Sequence, residues 1–326
     1  MPRSYRHLNA QERDLLAVMR GEGKALRAIA RLLHRAPSSL SRELARNAPP
    51  IRRGRYLPHK AHARYTTRNQ ARARRPRLKS AKIRRYVGQR LAAGWSPELI
   101  AGRMARCWPG EQISHEAIYG WIYAEARTHI AHLVRSHRKR QRRGYSRKHT
   151  KPHIPNRMAI AERPAVVETR RQMGHWEADT VVSRQSTAAL QVLVERKARY
   201  TKIGKLQSRS ARRMRIGMNR MLSRYPAAVL KTLTYDNGTE NTEHLRVNAV
   251  LGTRSYFCTP FHSWEKGTVE NTIGLVRRWL PKKTDFATVS HRQVKTIERW
   301  LNHRPRKCLN YKTPAEVFRA AVALTA

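Results

Sequence analysis

Apolar positions recur at helical spacing near the start of the chain. In "LNAQERDLLAVMR" the residues Leu8, Leu15, Leu16, Val18 and Met19 give an apolar side, and Asn9 is placed to cap the first turn. "ALRAIARLLH" follows, with Leu26, Ile29, Ala30 and Leu33 at the same spacing. "APSSLSRELARN" comes next, with Pro37 suited to a first helical turn. The short turn His34-Arg35-Ala36 separates the last two, which predicts a helix-turn-helix. A second helical unit is predicted from "KIRRYVGQRLAAG", "WSPELIAGRMARCW" and "SHEAIYGWIYAEA", with Ser96 and Ser114 as N-caps and Ile118, Trp121 and Ile122 on one face.

After residue 170 the pattern changes. "HWEADTVV", "LQVLVER" and "YTKIGKLQ" are short strand-like segments, read as antiparallel neighbours. A helix near 208–223, the strand "LKTLTY", a helix in "NTEHLRVNAVLG", the strand "RSYFCT" and a helix over roughly 265–279 follow. Three strands and then alternating helix and strand predict an α/β fold with a mixed sheet. The chain divides into a helix-turn-helix domain at 1–50, a basic linker at 51–78, a second helical domain at 79–134, a basic linker at 135–165 and an α/β domain with a helical tail at 166–326.

Charge changes the picture. Lys and Arg total 69 against 21 acids in 326 residues, a formal charge of +48. Such a field captures polyanions, and each DNA phosphate neutralised releases counterions. A ribosomal or chromatin-packing protein would share that property but would need no paired acids. With DNA as partner, the second helix of the first unit would enter the major groove, and Ser38, Ser39, Ser41, Arg42 and Arg46 could reach bases or phosphates. Ser114 and His115 would lead the corresponding helix of the second unit. Between Arg52 and Arg85 there are fourteen basic residues and no acid, a linker or a phosphate-tracking arm.

The N-terminus has no apolar signal region, and no run of eighteen apolar residues suggests a membrane span, so a cytosolic, nucleoid-associated protein is expected. Cys107, Cys258 and Cys308 are far apart, and the pairs His59/His62 and His129/His132 lack nearby cysteines, so all four histidines are read as surface residues.

Three acids stand out. Asp236, in "LTYDNGTEN", ends a strand; Asn-Gly commonly makes a hairpin turn, but the helical spacing of Leu245, Val247, Ala249 and Val250 puts Asp236 at a strand-to-helix loop, where α/β sheets bind ligands. In "GHWEADTVV" Glu177 and Asp179 share one strand face, and an unpaired Asp179 there would be costly to bury. Glu270 lies in "SWEKGTVENTIGLVRRW", with Arg277 two turns on; Glu265 competes but precedes Gly267. Three acids on separate elements of a DNA-seeking protein suggest a two-metal phosphoryl-transfer site holding two Mg²⁺ ions, with Mn²⁺ as a substitute.

The wording and order of these motifs resemble the DDE transposases of bacterial insertion sequences, specifically the insertion-sequence-thirty family. The resemblance covers nearly the whole chain: "ERDLLAVMRGEGKALRAIARLLHRAPSSLSRELARN", "WSPELIAGRM" with "SHEAIYGWIY", "GHWEADTVV", "TYDNGTE", "WEKGTVENTIGLVRRWLPKKTDF" and "LNHRPRKCLNYKTPAEVF". Thirty-three residues separate Asp236 from Glu270, as in that family. The resemblance implies a ribonuclease-H-like catalytic domain behind all-α DNA-binding domains, with Asp179, Asp236 and Glu270 as the metal-binding triad and Arg277 near the DNA end. It further implies recognition of terminal inverted repeats by the helix-turn-helix at 25–46, 3′-end cleavage, strand transfer through joined ends or a circle, and a homo-oligomer on paired ends.

This chain departs from the family pattern at Asn241, where a Phe is common, at Glu265, at Val269, and in "GEGKALRAIA". Two other readings are an inactive descendant acting as a DNA-binding regulator, and a tyrosine recombinase built on His303, Arg306 and Tyr311; the second leaves the three acids unexplained.

Overall fold

The computed structural model describes residues 7–47, 56–73, 78, 80–133, 154–260 and 262–324. The chain forms two compact units, Met1–Ile83 and Arg84–Ala326. The basic stretch 136–151 lies outside the described residues.

In the first unit, α1 (Ala10–Gly21), α2 (Leu26–Leu32) and α3 (Pro37–Asn47) close around Leu8, Leu16, Ile29 and Leu40. Asn9 caps α1 as expected, in a reciprocal pair with Glu12. Beneath α3 the buried Arg13 and Glu43 pair at 2.7 Å, and Asn47 and Tyr56 also donate to the Glu43 carboxylate. A buried charge needs such partners. The region read as a linker at 51–78 contains a helix instead, α4 (Pro58–Ala73), which packs on α1. Its buried Ala61 and the nearby His62 and Tyr65 form a narrow inward stripe, with the Arg13 guanidinium 4.9 Å from the Tyr65 ring centre. That stripe is too small to stand out against so many basic residues.

The second unit begins within α5 (Ala81–Ala92) and continues through α6 (Pro97–Cys107), α7 (His115–Ala124) and the short α8 (Ile130–Leu133). Ser96 and Ser114 cap α6 and α7. The one-turn α9 (Val166–Thr169) leads into β1 (His175–Val182), β2 (Ala189–Glu195) and β3 (Thr201–Leu206). Then come α10 (Ala211–Leu222), β4 (Thr232–Tyr235), α11 (His244–Leu251), β5 (Arg254–Phe257), α12 (Gly267–Val276), α13 (His291–His303) and α14 (Pro314–Ala323). The sheet order is β3-β2-β1-β4-β5. The first three strands are antiparallel, whereas β4 runs parallel to both β1 and β5, so the sheet is mixed, as in the ribonuclease-H-like fold expected.

Helices cover both faces. Trp176, Ala178, Leu233 and Phe257 pack with Met218, Val247 and Phe318 from α10, α11 and α14. On the other face Val181, Val192 and Ile203 pack with Val269 and Val276 of α12 and Ile297 of α13. Every residue of β2 is buried, which accounts for its near-continuous apolar run.

Two expectations need correction. The segment 79–134 is not separate: most of it shares the compact unit of the sheet. Trp300 Nε1 donates to Ala93 O at 2.6 Å, Arg103 pairs with Glu316 at 2.5 Å, and the Tyr311 ring lies against Gly102 where a Cβ would overlap it. The end of the stretch read as a linker at 135–165 is also folded. Ile154 is buried, and Phe257 N–H donates to Met158 O at 2.9 Å. The outer side of β5 needs partners for its backbone groups, and this segment supplies them.

Candidate active site

Parallel pairing of β1 with β4 creates the site. His175 pairs with Thr232, Trp176 with Leu233 and Glu177 with Thr234. Two further residues along the same register bring Asp179 beside Asp236, just past the end of β4. The chain then turns through a short 3-10 segment, Thr239–Asn241, into α11, so Asn237-Gly238 belongs to a strand-to-helix loop. Gly238 has an ordinary negative φ. A Cβ at this position would meet the Glu240 carboxylate, which would have to move aside.

A cation stands between the two aspartates. Lys266 Nζ lies 3.4 Å from Asp179 Oδ1 and 3.8 Å from Asp236 Oδ2, and donates to Ala178 O at 3.2 Å. Its side chain is 6% exposed, against 20% for Asp179 and 44% for Asp236. Burial works against the charge on Lys266, but Asp236 and Asp179 outweigh it, and its pKa is raised. The Asp179 carboxyl is also pushed up, first by burial and then by the charge of Asp236, while Lys266 and the Thr180 N–H oppose the rise. The Thr180 N–H reaches Asp179 Oδ1 at 2.8 Å.

Asn241 orients the second aspartate. Its Nδ2 donates to Asp236 Oδ1 at 2.8 Å. The residue that departs from the family pattern therefore supplies a donor to a candidate ligand. Nearby Glu240 is buried, and burial with the charges of Asp236 and Asp179 raises its pKa.

Glu270 occupies the first turn of α12 and is exposed. Among the described residues no group of three or more His, Cys, Asp or Glu side chains is arranged to hold a metal. The structure thus brings Asp179 and Asp236 together around Lys266 and leaves Glu270 one turn beyond that lysine. Glu265 lies outside α12 as expected, in the 3-10 turn Ser263–Lys266, where it accepts from Thr259 N–H at 2.7 Å.

The position of α12 itself depends on Glu177. This carboxylate, fully buried, accepts from Val269 N–H at 2.8 Å and lies 3.2 Å from Arg196 Nη1. Arg196 continues to Glu168 at 3.0 Å, which also pairs with Arg163, and Arg163 donates to Thr234 on β4 at 2.9 Å. One chain of charged groups therefore ties β1, β4 and α12 together beneath the aspartates. Arg277, at the end of α12, faces Val182 O and Pro281 O at 3.3 Å each and lies over the Phe286 ring. Its guanidinium fastens the turn after α12 to the end of β1.

In the helix-turn-helix, Ser38, Ser41, Arg42 and Arg46 are exposed on α3 and Ser39 is half-buried. Arg42 Nε donates to Ser38 O at 3.0 Å. In the second unit the Ser114 hydroxyl accepts from Ala117 N–H at 3.0 Å and works as a helix cap, while His115 is exposed. Sequence reasoning missed Lys266, and it marked Asn241 only as a departure from the family pattern, with no role. The available signal was their spacing: Lys266 is one helical turn before Glu270, and Asn241 follows Asp236 in a tight loop.

A helix-turn-helix domain family model matches residues 4–47. The chain is 36% identical over 99% of its length, and 86% of the relative's, to the transposase InsI of insertion sequence element IS30A of Escherichia coli K12. It is 37% identical to the transposase of element IS1086 of Cupriavidus metallidurans, over 98% of this chain and 96% of that one. The transposase of element IS4351 of Bacteroides fragilis is 33% identical, with 97% of each covered. Among solved structures, the catalytic core domain of BIV integrase aligns with 46% of this chain and 97% of its own at 18% identity and a TM-score of 0.38. With such identity sustained from end to end, the chain belongs to the IS30 family of insertion-sequence transposases.

Proposed function

We propose that this transposase binds the terminal inverted repeats of its element and catalyses Mg²⁺-dependent 3′-end cleavage and strand transfer, with Asp179, Asp236 and Glu270 as its metal-binding acids. The observation that carries this reading is the side-by-side placement of Asp179 and Asp236 around a buried ammonium. Two carboxylates that hold a lysine out of solvent form a place suited to positive charge, and oxygen donors suit Mg²⁺. When bound, divalent ions there would polarise the scissile phosphate and lower the pKa of the attacking water or hydroxyl.

The chain's own groups prepare that site. Thr180 N–H and Asn241 fix one oxygen of each aspartate. Glu177 holds the first turn of α12, and with it Glu270, against β1. Lys266 keeps two close carboxylates from repelling each other. Recognition falls to α3, whose exposed Ser38, Ser41, Arg42 and Arg46 would meet the major groove. Ser39, at the edge of that face, and His115 on α7 are weaker contacts in this reading. Arg277 would face the DNA end once its carbonyl contacts yield. The acting species is a homo-oligomer holding paired ends.

The test is nicking and joining of the DNA that flanks the gene in its own genome, with Mg²⁺ or Mn²⁺ and with intact and Asp236→Asn protein side by side. Metal-dependent cleavage and joining, lost in the variant, is expected. Specific binding without cleavage would replace this reading with that of a DNA-binding regulator.

A further inference from the structure

Beside the first turn of α12 is a cavity of about 190 Å³ lined by Arg170, Arg199 and Arg306, with Thr268, Asn271 and Cys308. The three arginines come from the loop before β1, the turn between β2 and β3 and the loop after α13. Like charges converge only at a cost unless something offsets them. None of these guanidiniums is paired with a carboxylate among the described residues: the buried Glu177 is engaged by Arg196, and the exposed Glu168 by Arg163 and Arg196. Arg199 Nη1 donates to Thr268 Oγ1 at 2.7 Å, and Arg306 Nε is buried without a hydrogen-bond partner among the described residues. Two of the three have left-handed backbone: Arg170, at φ 55°, ends α9, and Arg199, at φ 60°, lies in the turn between β2 and β3. Non-glycine residues seldom adopt such angles, and they persist where surrounding structure demands them.

We infer that Arg170, Arg199 and Arg306 form a pocket for a phosphate group, and that its occupant is a backbone phosphate of the DNA on which this transposase acts. Planar guanidiniums suit phosphate oxygens, and the N-terminal end of a helix adds positive potential. The cavity accommodates one phosphate rather than a nucleotide. Its walls include Gly267, the residue after Lys266. A strand anchored there would pass close to the candidate acids, so the pocket would set where along the strand the reacting phosphate lies. This inference rests on the function proposed above.

Cysteine alkylation tests it. Cys308 lines the cavity and is exposed; Cys107 is exposed elsewhere, and Cys258 is buried. Full-length protein is treated with a neutral maleimide, without divalent metal, alone, with orthophosphate, or with a short duplex from the element end. The Cys308:Cys107 labelling ratio should fall several-fold with either probe. Arg306→Gln should abolish that fall, Arg306→Lys should restore part of it, and Arg212→Gln, which removes a charge from the exposed side of α10, should leave it intact. Protection by orthophosphate but not DNA would overturn the assignment to DNA. No protection, or protection indifferent to Arg306→Gln, would overturn the pocket itself. Absence of metal-dependent cleavage would count against the transposition chemistry alone, because the labelling is read without metal.

Discussion

Lys266 Nζ lies 3.4 Å from Asp179 Oδ1, an ion pair between the turn that starts α12 and the middle of β1. The same ammonium lies 3.8 Å from Asp236. A cation brought in from solvent must compete with it. Lys266→Met should therefore tighten Mn²⁺ binding by roughly tenfold, a modest share of the Coulomb energy at this distance because Asp236 is partly solvated. The metal-free variant should also unfold at a lower temperature. Calorimetric titration and thermal denaturation measure both, with Asp179→Asn as the control that loses metal. Unchanged affinity in Lys266→Met would show that the lysine does not occupy the metal's place.

Asn241 donates to Asp236 from within the same loop. Partners that orient a ligand are worth roughly ten- to a hundredfold in metal affinity. Asn241→Ala should thus weaken Mn²⁺ binding by roughly tenfold with little change in DNA affinity. Equal metal affinities would mean that Asp236 is held by other means.

Removing charge from Glu177 should be severe. Its carboxylate is fully buried, holds Val269 N–H and faces Arg196. Breaking such a pair costs roughly 3–5 kcal/mol because the remaining charge stays buried. Glu177→Gln should lower the unfolding midpoint, whereas Glu177→Asp should recover part of the loss. Denaturant unfolding that matches the parent would rule out this anchoring role.

The imidazole of His175 gives a pH dependence with a definite sign. Burial, aided by Lys231, Arg196 and Arg163, pushes its pKa from 6.5 down to about 4. A depressed pKa means that its contribution to stability is present above pH 6.5 and is lost as pH falls towards 4. Glu195, also buried, is pushed up to about 7 and acts in the opposite sense, losing stability as pH rises from 4.5 to 7. Comparing intact protein with His175→Asn isolates the histidine. The gap between their unfolding midpoints should narrow from pH 7.5 to pH 5; a constant gap would contradict the assignment.

Exposed Arg42 on α3 should read the element ends. Arg42→Ala is expected to cost roughly 1–3 kcal/mol in specific binding and to narrow the ratio of specific to non-specific affinity. Competition binding at fixed salt would measure that ratio. An unchanged ratio would move recognition to another part of the chain.

Much of this protein is written locally. The caps at Asn9, Ser96 and Ser114, the helix-turn-helix at 25–46, the strand alternation around Asp179 and the strand-end position of Asp236 depend on residues within a few positions of one another. Periodicity and capping chemistry reveal them without knowledge of the fold. The family motifs added the assignment of Asp179, Asp236 and Glu270 as a set. Tertiary structure decided the rest. Only the parallel pairing of β1 with β4 sets Asp179 beside Asp236. Only packing of α12 against β1 drives Lys266 between them and makes Glu177, which the sequence places merely on the same strand face as Asp179, a buried anchor. The helix at 58–73 and the folded segment after residue 154 escaped notice because charge dominates one, and the other gains its order from an edge strand distant in sequence. Arg170, Arg199 and Arg306 look unremarkable among 69 basic residues. They become a site because the fold gathers them into one cavity without an acid partner among the described residues, and neither spacing nor composition encodes that convergence.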